Sequence, residues 1–85
     1  MNTPKKTILF DLDGVLNTYD GNYNNTFIPP IREGAQGLLK YLSKDYKIVI
    51  FTTRNTLIAS KWIIENKLDK YIENVTKQNL FLEVL

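Results

Sequence analysis

The order of apolar runs in this 85-residue sequence predicts an α/β fold with a parallel sheet. Three observations carry the prediction. Residues 7–10 and 46–51 are short apolar runs of the kind that form strands buried on both faces. Between them, Ile31, Ala35, Leu38, Leu39 and Leu42 recur at spacings of three and four, as on one face of a helix. The whole chain then reads strand, helix, strand, helix, strand, the alternation of parallel strands joined by right-handed crossovers.

Size and composition bound what such a domain can do. Residues 1–85 make one small domain, which buries only about 60–65% of its unfolded surface and so has a narrow stability margin. A hydrophobic share of 44% with 24% charged residues speaks against disorder. The net charge is +2, and the one basic pair, Lys5-Lys6, is too short to imply nucleic-acid binding. There is no cysteine, which removes disulfides, thiolate zinc sites and a cysteine nucleophile. There is no histidine either, so a Ser-His-Asp arrangement fails. Chemistry must run on carboxylates, hydroxyls, amines, guanidinium groups and a bound hard cation. The N-terminus does not read as a signal peptide and no segment approaches a membrane span, so the expected location is cytoplasmic.

In chain order, residues 1–6 are a polar lead-in to the first strand. That strand runs into Asp11 and Asp13, two carboxylates one residue apart. Desolvating an unpartnered carboxylate is expensive, so both are expected at the strand's carboxyl end, where α/β sheets present their ligands. The two-residue period places them on a shared side of the strand. Residues 17–30 are rich in Asn, Gly and Tyr; Asp20-Gly21 signals a turn, and Tyr19 and Tyr23 suit either a surface loop or a flap over the carboxylates. Pro29-Pro30 suits a helix start, and Glu33, Lys40 and Lys44 complement the helix dipole. The second strand stops abruptly at Thr52-Thr53-Arg54-Asn55. Asn55 or Thr56 can cap a helix running to about Lys67, with Ile58, Trp62 and Ile63 on its buried side. Ile72-Glu73-Asn74-Val75 is the expected third strand, and residues 77–85 form an atypical, apolar C-terminal segment.

The two carboxylates define the chemistry. Held close together they repel unless a cation or a shared proton intervenes. Asp-x-Asp-Gly also opens EF-hand calcium loops, but those need glycine at the sixth position and glutamate at the twelfth. Counted from Asp11, these are Leu16 and Asn22, which excludes the calcium loop.

Phe10-Asp11-Leu12-Asp13-Gly14-Val15-Leu16, followed by Ile48-Val49-Ile50-Phe51-Thr52-Thr53-Arg54, resembles the haloacid dehalogenase-like (HAD) superfamily. The helix lead-in Pro29-Pro30, with Gly34 after it, also looks like members of that family, and the resemblance covers residues 7–76. It implies a small three-layer Rossmann-like domain with a parallel sheet, no large cap and an incomplete set of later strands. It further implies that Asp11 is the nucleophile accepting a phosphoryl group and Asp13 the general acid and then base. Asp11 and Asp13, the latter through its backbone carbonyl, would hold Mg²⁺. Thr52, or alternatively Thr53, would hydrogen-bond a phosphoryl oxygen. Gly14 and Arg54 are candidates for substrate contact, with helix capping or solvent exposure as alternatives for Arg54. Lys77 is the candidate for the family's charge-balancing lysine, with a surface position as its alternative.

One family element has no match. The acidic cluster that ends the family's fourth strand is absent, and Glu83 is a remote substitute. The first strand should lie centrally, so loss of the fourth would leave a hydrophobic sheet edge. Two expectations follow: the chain is a C-terminally shortened relative whose last dozen residues no longer follow the family pattern, or residues 80–85 replace that strand or support a homodimer. The leading expectation is a Mg²⁺-dependent phosphohydrolase acting on a small phosphorylated substrate, with nucleic-acid ends or phosphoproteins as further candidates and no membrane partner. A non-catalytic binding or assembly module and a phosphotransferase are the alternatives.

Overall fold

The computed structural model describes residues 4–21, 24 and 26–77. It contains strands β1 (Lys6–Asp11), β2 (Tyr46–Thr52) and β3 (Asn74–Lys77), helices α1 (Ala35–Leu42) and α2 (Thr56–Glu65), and a 3-10 turn at Asp69–Tyr71. The strands form one parallel sheet in the order β1-β2-β3, the α/β architecture expected from the apolar runs.

Strand register shows how the layers stack. Ile8 pairs with Ile48, Phe10 with Ile50, and Ile50 with Val75, so these side chains share one face. On that face Ile48 and Ile50 are buried among Ala35 and Leu39 of α1 and Ala59, Trp62 and Ile63 of α2, with Phe10 and Val75 packed against them. Both helices therefore cover the same side, as two right-handed crossovers stepping in one direction require. Each fully buried aliphatic side chain here stabilises the fold by about 1.5–3 kcal/mol. The opposite face carries Leu9, Val49 and Phe51, none of which joins the core. Leu9 is 61% exposed. Among the described residues β1 is an edge strand, so its outer flank is the open apolar edge anticipated for a sheet without a fourth strand.

Several boundaries differ from those the sequence suggests. α1 begins at Ala35, four residues after Ile31, behind Gly34 in the left-handed region at φ 86°. Pro29-Pro30 does not open the helix because the backbone there is paired elsewhere. Ile31 forms an antiparallel bridge with Asn17, the Thr18 amide donates to the Pro30 carbonyl (3.0 Å), and the Arg32 amide donates to the Leu16 carbonyl (2.8 Å). The intervening loop is thus cinched at its base. β3 starts at Asn74, two residues later than expected, because the 3-10 turn occupies Asp69–Tyr71 and the Glu73 amide is taken by the Ile48 carbonyl (2.7 Å). α2 matches its prediction closely. The Asn55 side chain accepts from the amides of Leu57 and Ile58, and Trp62 is core. Residues 78–85, including Glu83 and the proposed replacement strand, lie outside the described residues, as does Tyr23.

Candidate active site

The site forms where β1 and β2 end side by side. Asp11 is the last residue of β1 and pairs with Phe51, and the Leu12 amide extends the ladder to the Phe51 carbonyl (3.3 Å). The chain then turns. Asp13 therefore lies beyond the strand, in a turn in which Gly14 adopts φ 83°, a conformation that favours glycine. Its side chain is directed by its partners there, not by the strand's two-residue period.

Asn17 holds that turn together. It is fully buried; its Oδ1 accepts from the amides of Gly14 (2.9 Å) and Tyr19 (3.1 Å), and its Nδ2 donates to Asp13 Oδ1 (3.0 Å). Arg32 Nη2 donates to the Gly14 carbonyl (3.0 Å). Both backbone groups of Gly14 are thus engaged within the protein, and its role here is to shape the turn. Asn17 was not singled out from the sequence. Its signal was present, an Asx residue four positions after Asp13 following two apolar residues, but such residues occur in many turns.

Arg54 dominates the electrostatics. It is 1% exposed. Its Nε donates to Asp13 Oδ1 (3.0 Å) and Oδ2 (2.9 Å), and Nη2 donates to Oδ1 (2.9 Å). Nη1 donates to the carbonyls of Asn24 (2.6 Å) and Phe27 (3.3 Å). Neither alternative weighed for this residue describes it: the cap of α2 is Asn55, and the guanidinium lies away from solvent. The Asn24 and Phe27 carbonyls are linked to Asp13 through this guanidinium, whereas Tyr19 interacts through its backbone amide with Asn17.

Thr52 ends β2 and is fully buried, with its Oγ1 accepting from the Arg54 amide (3.0 Å), while Thr53 is exposed. Thr52 is thus the threonine built into the site. Lys77 ends β3 and pairs in register with Thr52, which puts it at the same carboxyl edge of the sheet, with an exposed side chain.

Asp11 is the perturbed acid. Burial raises its carboxyl above the ordinary value of 3.8; the Leu12 amide opposes this, the Asp13 charge adds to it, and the Asp13 amide opposes it. A carboxylate destabilised by desolvation and by an anionic neighbour suits a hard cation, and a carboxylate with a backbone carbonyl is the oxygen donor set Mg²⁺ accepts while retaining waters. Asp11 and Asp13 thus fit such an ion in donor chemistry. Among the described residues no group of three or more acidic side chains gathers around them.

A parallel sheet presenting an Asp-x-Asp turn beside a strand-terminal threonine defines the chain as a HAD-like domain. The family model of the NLI interacting factor-like phosphatases matches residues 6–83, and the chain belongs to that phosphatase family. Neither a curated protein nor a solved structure matches it. No helix among the described residues is long and apolar enough to cross a membrane.

Proposed function

We propose that the protein is a Mg²⁺-dependent phosphomonoesterase that works through a phosphorylated Asp11. The observation that carries this reading is the placement of Asp11 at the end of β1, desolvated and beside Asp13, in a chain of a phosphatase family. Asp11 and the Asp13 carbonyl would hold the metal, which supplies charge neutralisation between the nucleophile and the phosphoryl group.

In the first half-reaction a carboxylate oxygen of Asp11 attacks phosphorus as the bond to the leaving oxygen breaks. Asp13 gives that oxygen its proton, so an alcohol departs. In the second half-reaction Asp13 takes a proton from water, whose oxygen attacks phosphorus and releases the Asp11 carboxylate and inorganic phosphate. Of the two Asp13 oxygens, Oδ1 accepts from Arg54 and Asn17 while Oδ2 accepts from Arg54 Nε alone among the described residues. Thr52 contributes a hydroxyl to the phosphoryl oxygens and Lys77 a compensating positive charge.

The test is hydrolysis of a chromogenic aryl phosphate with and without Mg²⁺. Wild type should turn over only with the metal, and Asp11→Asn should lose at least about 10³-fold in kcat. Turnover that survives Asp11→Asn would remove Asp11 as the nucleophile.

A further inference from the structure

We propose that Arg54 is a positioning residue that makes the orientation of Asp13 and the seating of the Asn24 and Phe27 backbone a single, coupled arrangement. The inference rests on the phosphatase reading for its kinetic consequence, but its structural content stands apart from it.

Arg54 is the largest fully buried side chain among the described residues. A buried guanidinium is tolerated only when its N–H donors are satisfied, and removing one partner from a buried pair is far more costly than losing a surface one. Among the described residues the guanidinium's partners come from two distant pieces of chain, and the Arg54 backbone adds a bond to Thr52. Asp13 in the turn after β1 accepts from Nε and Nη2, the Asn24 and Phe27 carbonyls of the loop accept from Nη1, and the Arg54 amide holds Thr52 Oγ1 at the end of β2. The planar fork has one orientation that serves both Asp13 and the two carbonyls. If the loop lifts, Nη1 loses the Asn24 and Phe27 carbonyls, two of the contacts that fix the angle of the fork on Asp13. If Asp13 turns, the fork loses its anchor and the loop loses its donor. Lysine cannot replace it, because an ammonium is a point charge without the planar span.

The molecule carries its own reporter. Trp62, the one tryptophan in the chain, lines a groove of about 310 Å³ with Thr26, Phe27 and Ile28 of the same loop. Asp13 does not line this groove, so a change at Asp13 has no direct contact with the reporter's surroundings. Acrylamide quenching of Trp62 would be measured in wild type, Asp13→Asn, Arg54→Lys and the double variant, with circular dichroism to establish folding. Each single variant should raise the quenching constant by about two-fold, and the double variant should add nothing further. Asp13→Asn keeps the size of the side chain, so it decides the matter even if Arg54→Lys fails to fold. Wild-type quenching in Asp13→Asn, or additive effects, would overturn the proposal.

The kinetic arm separates positioning from substrate contact. Arg54→Lys should lower kcat by at least about ten-fold toward an aryl phosphate while leaving KM within about two-fold. A rise in KM at unchanged kcat would make Arg54 a substrate ligand and overturn the assignment. If wild type shows no phosphatase activity, the proposed function falls, while the quenching series still decides the coupling.

Discussion

Asp11 and Asn17 show how much a single side chain decides at this site. The Asp11 carboxyl is raised, first by burial, so the native state binds its proton more tightly than the unfolded state does. Its contribution to stability is therefore full below the ordinary value of 3.8 and is lost as pH climbs through the raised value. Asparagine removes the ionisation. In urea titrations without metal, Asp11→Asn should gain on wild type between about pH 4 and about pH 7; an equal difference at both would refute the desolvation account. Asn17 has a structural task. With its amide deleted, the Gly14 and Tyr19 amides lose their acceptor, so Asn17→Ala should cost about 1–3 kcal/mol of unfolding free energy.

At the scale of elements, what could be read from the chain depended on whether the signal was local. α2 was legible because everything that defines it lies within it: Asn55 caps its first turn, and Trp62 and Ile63 face inward. Asn55→Ala should lower stability by about 1 kcal/mol in the same urea experiment, with near-native helix content by circular dichroism. β1 and β2 were legible because each centres on an unbroken apolar run, residues 8–10 and 48–51, that ends where polar side chains begin. α1 was misjudged at its start because Pro29-Pro30 is a local helix signal that distant pairing overrode: the Pro30 carbonyl and the Arg32 amide are committed to Thr18 and Leu16. The place of Arg54 was hidden for the same reason. Its partners Asp13, Asn24 and Phe27 are 27 to 41 residues away, and no periodicity reports a contact of that span.

For the whole molecule, the governing fact is that both helices cover one face of the sheet. Parallel sheets are ordinarily covered on both. Here Leu9, Val49 and Phe51 face away from the core, and β1 has an unpaired flank among the described residues. Such an edge favours association between chains. Leu9→Lys should reduce light scattering in concentrated solution and leave the melting temperature within a few degrees, since Leu9 is already 61% exposed. A large loss of thermal stability would mean that Leu9 is covered in solution.

The strand order also bears on how the chain acquires its structure during synthesis. Every ladder joins neighbours in sequence, so no strand must thread between two others. β1 emerges first yet has no ladder partner until about forty residues later, when β2 arrives and the first long loop can close. Because β2 pairs with both of its neighbours, the second ladder adds to a strand already in place. The acidic turn after β1 cannot be gripped by Arg54 before that point. The site therefore assembles as β2 docks, and among the described residues the flank of β1 turned away from β2 is a sheet surface that stands open before any ladder has formed.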